Sequence, residues 1–106
     1  MKKNTASQIG ERELTRLSSF LHVFSDETRL RILFALLDRN MCVMHISEAV
    51  GASQSAVSHQ LAILRAQNIV KAQRTGKSIV YSVADAHISA LLALALTHIR
   101  EEQSCM

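Results

Sequence analysis

The chain predicts a mainly α-helical domain carrying one small β-hairpin, and three observations support that fold class. Apolar residues recur at helical spacing in five separate stretches between Glu11 and Glu101. Residues 69–83 break that period, with Ile69-Val70 and Ile79-Val80-Tyr81-Ser82-Val83 reading as strands around Arg74-Thr75-Gly76-Lys77. No proline stands anywhere in the 106 residues to interrupt a helix.

Length and composition narrow the function classes. With 106 residues, 48% of them hydrophobic, the chain suits one domain with a modest core that oligomerisation would enlarge. A net charge of +3 permits a nucleic-acid partner without demanding one. Cys42 and Cys105 make no disulfide framework, and no charged-apolar-small signal pattern opens the chain, so a cytoplasmic location is expected. The longest apolar run, Ile88 to Ile99, is broken by Ser89, Thr97 and His98, and it is shorter than the roughly 20 residues a membrane helix requires. Contact with a membrane is not expected.

Residues 1–10 are polar and read as a flexible tail with Lys2 and Lys3 solvated, so that the domain proper runs 11–106. From Glu11 a helix carries Leu14, Leu17, Phe20, Leu21 and Phe24, a wider stripe than a lone surface helix hides, which predicts a share in a dimer contact. Ser25-Asp26-Glu27 caps a second helix, whose Leu30, Ile32, Leu33, Phe34, Leu36 and Leu37 supply core before Asp38-Arg39-Asn40 ends it. A short helix over roughly 43–50 closes at Gly51, and another over about 54–67 starts from Ser53 as its cap.

Between these last two helices, Ile46, Ala49, Val50, Val57, Leu61 and Leu64 fall where helices crossing over a glycine turn need apolar contacts, which is helix-turn-helix spacing. The second helix presents Gln54, Ser55, Ser58, His59 and Gln60 near its start, just after Ser53, while Ala62 and Ala66 are expected to pack behind. Short polar groups of this kind hydrogen-bond base edges and phosphates in a major groove. The hairpin tip adds Arg74 and Lys77, a basic wing placed for phosphates or a minor groove. A helix-turn-helix followed directly by a basic hairpin makes double-stranded DNA the expected partner.

The last helix, Asp85 to Glu101, is apolar over most of its surface and carries a polar pair at each end, Asp85 with His87 and His98 with Glu101. His87 and His98, eleven residues apart, return to within about 20° of one face but stand roughly 16 Å apart along the axis. Two ligands of one tetrahedral ion lie about 3.5 Å apart, so one helix cannot close a site. An antiparallel second copy can. Pairing Asp85 with the partner's Glu101 and His87 with the partner's His98 centres both pairs near Leu92 and Ala93, giving two equivalent sites of two imidazoles and two carboxylates. Asp85 and His87 would diverge by about 200° inside a helix, so they converge only if Asp85 occupies the N-cap. His98 and Glu101, at i and i+3, share a face.

Over nearly its whole length the chain resembles the ArsR/SmtB family of metal-responsive winged-helix repressors. The resemblance rests on Phe-Ser-Asp-Glu-Thr-Arg-Leu-Arg-Ile-Leu (24–33), Ser-Gln-Ser-Ala-Val-Ser-His-Gln-Leu (53–61) and Arg-Thr-Gly-Lys (74–77), with Glu27 where the family often has proline. It implies a winged helix-turn-helix whose homodimer binds an inverted-repeat operator and is released by metal. It also implies that Asp85, His87, His98 and Glu101 form the inter-subunit zinc-sensing site, with His98 reaching toward the backbone near Asn68. That donor set suits Zn(II) or Co(II), and affinity order alone leaves Ni(II) or copper open. Glu102 is the alternative to Glu101, disfavoured by its spacing from His98. The family's second, thiolate-rich site has a Cys-Val-Cys-Asp core that stands here as Cys42-Val43-Met44-His45, so Cys42 reads as a small buried apolar residue.

Two alternatives stay open: the same repressor with a redox trigger through Cys42 or Cys105, and a winged helix that contacts protein instead of DNA. An enzyme is not expected, because the chain has no glycine-rich phosphate loop and no nucleophile-base pattern, and the proposed metal position has four protein ligands with none open. No small-molecule substrate follows from the sequence.

Overall fold

A computed structural model describes residues 8–104, with side chains through Glu101. Most of the expected tail and Cys105 therefore lie outside the described residues. The order is α1 (Glu11–Val23), α2 (Glu27–Asp38), α3 (Val43–Val50), α4 (Gln54–Ala66), β1 (Val70–Thr75), β2 (Ser78–Val83) and α5 (Ala86–Ser104). Five helices and one antiparallel hairpin make a winged helix-turn-helix, as the change of period predicts.

Local chemistry sets the boundaries. The Asp26 carboxylate accepts the Arg29 N–H at 2.9 Å and starts α2, and the Ser53 hydroxyl accepts the Ala56 N–H at 3.0 Å and starts α4. Gly51, at φ +73°, closes α3 in the left-handed region that a side chain disfavours, so the turn into α4 takes this residue. Asn68 does the same work after α4 at φ +58°. There the Ile69 N–H reaches Leu64 O at 2.9 Å and the Asn68 N–H reaches Arg65 O at 3.0 Å, a Schellman ending.

The hairpin is longer and its tip tighter than the sequence suggests. Thr75 pairs with Ser78 and Arg74 with Ile79, so Arg74 belongs to β1 and the turn narrows to Gly76-Lys77. Gly76 at φ +63° takes the first central position, which a two-residue type II′ turn reserves for glycine. Met41 adds an unexpected isolated bridge: its N–H and carbonyl bond Tyr81 at 3.1 and 2.8 Å and dock β2 onto the segment before α3.

Ile32, Leu33, Ile46, Val57, Leu61, Leu64 and Ile69 form the centre of the core, all of them sealed from solvent. Ile88 and Leu92 bring α5 onto this core, and Val23 brings the end of α1, where Phe20 and Phe24 meet edge to face at 5.1 Å. Ala49, Ala62 and Ala66 are exposed, contrary to the packing expected of them. Larger neighbours on the same helices fill the interior, which leaves these small side chains outside. No helix among the described residues is long and apolar enough to cross a membrane.

Candidate nucleic-acid interface and metal centre

Helix α4 presents its first turns to solvent. Gln54, Ser55, Ser58 and His59 are exposed, and Ser53 is exposed with its oxygen engaged in the cap, which leaves its O–H free to donate. Gln60 departs from this face. It is half-buried, and its Oε1 is enclosed without a hydrogen-bond partner, so its amide points at the protein interior. Arg74 in β1 and Lys77 in the turn are both exposed.

Charge reinforces this surface in a way that motif reading missed. From Ala49 to Ala84 the chain has no aspartate or glutamate, while Arg65, Lys71, Arg74 and Lys77 supply four positive charges. The helix α4 and the wing lie wholly inside this acid-free stretch. Such a surface attracts a polyanion and keeps counter-repulsion away from the groove.

At the start of α5, Asp85 caps the helix. Its Oδ1 accepts the His87 N–H at 2.9 Å and the Ile88 N–H at 3.3 Å. The His87 ring follows, with Nδ1 at 3.4 Å from the same oxygen. That spacing matches the edge of about 3.4 Å between two donors on one tetrahedral ion. The Ile88 N–H bond is the main cause that holds the Asp85 carboxyl below the ordinary carboxylate range; desolvation opposes it, while the His87 N–H and ring assist. Asp85 is thus an ionised donor at neutral pH.

His98 and Glu101 stand exposed at the far end of α5. A helical projection puts His87, Leu91, Leu94, His98 and Glu101 within about 40° of one line. Leu94, the most exposed large apolar residue at 70%, sits midway along that line. Leu92, which the two-fold reading placed at the centre, is turned into its own core at 4% exposure. Its height along the axis fits that reading, but Leu91 and Leu94 are the side chains that face outward there.

Within one protomer, no three His, Cys, Asp or Glu side chains come together among the described residues. Each end of α5 contributes a pair, and the helix length keeps the pairs apart. The donor set nevertheless fits Zn(II) chemically, with imidazole nitrogen and ionised carboxylate oxygen on solvent-accessible side chains. No hydrogen bond joins His98 to the Asn68 backbone among the described residues of the protomer.

Known proteins place this architecture. Residues 26–72 match the family model described as bacterial regulatory protein, arsR family. The chain is 40% identical over 86 residues to the transcriptional repressor SmtB homolog of Synechocystis, covering 81% of this chain and 65% of that protein. It is 36% identical over 97 residues to the HTH-type transcriptional regulator NmtR of Mycobacterium tuberculosis, covering 92% of this chain and 81% of that one. The chain belongs to the ArsR family. Among solved structures of this fold, the AntR antimony-specific transcriptional repressor superposes with a TM-score of 0.80 at 31% identity, over 98% of this chain and 99% of that one.

One contact in this ArsR-family chain was not anticipated. Cys42, at the N-cap of α3, is half-buried, and its Sγ lies 3.6 Å from His45 Nδ1. The expectation of a buried apolar thiol is corrected: an i, i+3 spacing across a helix start brings thiol and imidazole together. The His three residues after Cys42 was the available signal.

Proposed function

We propose that the chain is a metal-responsive transcriptional repressor whose homodimer reads an inverted-repeat operator and releases it when Zn(II), or Co(II) or Ni(II), is bound. Ser53, Gln54, Ser55, Ser58 and His59 would face the major groove, and Arg74 and Lys77 the flanking backbone. Gln60 would join them only by turning its amide outward. In each of two sites, Asp85 and His87 of one protomer would meet His98 and Glu101 of its partner. A bound divalent cation supplies the charge that holds those four side chains together. Fixing two antiparallel α5 helices fixes the angle between protomers, and with it the separation of the two α4 helices, about 34 Å for successive grooves.

The observation that supports this reading is the pairing of Asp85 with His87 at the start of a helix whose other end exposes His98 on the same face. Its test is a zinc titration of the purified protein, wild type beside His87→Ala and His98→Ala, with binding to an operator duplex followed at fixed salt. Near one ion per protomer is expected, lost in both variants and coupled to at least ten-fold weaker DNA binding in wild type. Zinc-insensitive DNA binding sinks the sensor, and absent salt-sensitive duplex binding favours the protein-contacting alternative.

The Cys42–His45 contact favours a second reading, in which a thiol oxidant is the trigger. In the same assay, release by oxidant that Cys42→Ser abolishes would select it.

A further inference from the structure

Val57, Leu61 and Leu64 are the buried side of α4, and a helical projection puts the exposed Ser55, His59, Ala62 and Ala66 within about 60° of one another on the opposite side. From Ala49 to Leu64 the chain has no Asp, Glu, Lys or Arg. That absence restricts which bases this face can tell apart. In a major groove a G·C pair is singled out by Arg or Lys on guanine O6 and N7, or by a carboxylate on the cytosine amine, and α4 before Arg65 offers neither. It offers an exposed amide at Gln54, hydroxyls at Ser55 and Ser58, a ring nitrogen at His59 and a bare methyl at Ala62. A Gln amide matches adenine N6 and N7, and an Ala methyl packs on the methyl of thymine. The hydroxyls serve any base, and a single imidazole N–H reaches N7, which both purines carry. Gln60, whose Oε1 is enclosed, adds no second outward amide.

We propose that α4 reads A·T pairs, with Gln54 on adenine and Ala62 set against a thymine methyl, so that each operator half-site has an A·T core. The proposal rests on the DNA half of the function above and is independent of the metal. Gln54 and Ala62 are eight residues apart, about 12 Å along the axis, which spans three to four base pairs of roughly 3.4 Å each. The cations stand away from these positions. Arg65 lies in the last turn of α4 and lines, with Ser58 and Tyr81, the cleft between that helix and β2, while Arg74 and Lys77 belong to the wing. They take phosphates, or a minor groove whose narrow A·T stretches attract such side chains. Charge then supplies affinity, and the face of Gln54 and Ala62 supplies choice. The exposed Ala62, which the core has no use for, fits a thymine methyl because a longer side chain there would hold the helix off the groove floor.

Selection from a random duplex pool by the metal-free protein at fixed salt supplies the probe. Two half-sites are expected, each with three or four consecutive positions dominated by A·T, as the reach of about 12 Å requires. In the selected duplex, deoxyuridine then replaces thymine one position at a time and deletes only the methyl. Replacing one particular thymine per half-site should weaken wild-type binding about four-fold, the worth of one buried apolar carbon, and Ala62→Gly should bind the thymine and deoxyuridine duplexes equally. Arg65→Ala should select the same bases while lowering the slope of log K against log salt by about 1 per protomer. Half-sites with G·C at the core would overturn the A·T reading, and different bases selected by Arg65→Ala would overturn the assignment of that cation to phosphate. Deoxyuridine tolerated by wild type at every position, a readout that needs no variant to fold, would overturn the Ala62 contact, as would a penalty that persists in Ala62→Gly. Salt-sensitive binding with no enriched sequence would overturn base reading by α4 and leave DNA binding intact, whereas no duplex binding at all would sink both.

Discussion

The unit built from α2, α3, α4 and the hairpin buries Ile32, Leu33, Ile46, Val57, Leu64 and Ile69 to 0% exposure, whereas α1 and α5 leave Leu14, Leu17, Leu21, Leu94 and Ile99 between 44% and 70% exposed. One chain therefore satisfies the DNA-reading unit and leaves its outer helices short of a partner surface. Apolar area removed from water is worth about 25 cal/mol per Å², so an outer layer of this kind gains by meeting a second copy. The same division runs through the candidate sites. Residues of the candidate DNA face lie on elements fixed by internal packing, while the proposed metal donors lie at two ends of a helix and do not meet among the described residues of one protomer.

The sharpest way to break this comparison is Leu94→Asp. Leu94 lies on the face shared by His87 and His98 and is 70% exposed in its own protomer. In a two-fold contact the change occurs twice, exchanging two apolar contacts of about 1.5–3 kcal/mol each for carboxylates facing one another. A loss of at least a hundred-fold in dimer affinity is expected by analytical ultracentrifugation, with the far-UV circular dichroism of the protomer retained. A dimer of undiminished affinity would move the interface off α5. A smaller effect should mark the other region. Lys77→Ala, in the exposed wing turn, should leave dimerisation unchanged and lower the slope of log K against log salt for operator binding by about 1 per protomer. An unchanged slope would mean that the wing tip does not touch phosphate.

Much of the fold was legible because its signals are local. Helical periodicity, the caps at Asp26 and Ser53 and the glycines at 51 and 76 depend on neighbours a few residues away, and each helix stands where those signals put it. Asp85 was legible in the same way, since the need to converge with His87 already required an N-cap. What escaped depends on contacts distant in sequence or on competition for space. The Met41–Tyr81 bridge joins residues forty apart, and nothing near Met41 announces it. Gln60 has the polarity of the DNA face, yet its position on α4 turns its amide inward, and Leu92, expected at the two-fold centre, gives its side chain to its own core. Ala62 and Ala66 show the converse, because a small apolar residue on a helix reports little about which side is buried.

The smallest expected effect lies at the junction of the two regions. Asn68 ends α4 in the left-handed conformation, and beside it the Gln67 side chain donates to the Ser19 hydroxyl of α1 at 3.0 Å. An alanine there keeps the backbone bonds but places a Cβ where the left-handed region crowds it, at a cost of roughly 1 kcal/mol, whereas glycine avoids the crowding. Asn68→Ala should therefore lower chemical-denaturation stability by about 1 kcal/mol relative to Asn68→Gly. If the two regions are mechanically separate, both variants should dimerise like wild type, because the strain falls on the Leu64–Ile69 ending inside the core of the reading unit. Altered dimer affinity in Asn68→Ala alone would instead show that the end of α4 sets the pose of α1 through Gln67 and Ser19. The outer helices would then be coupled to the reading helix without any ion at α5.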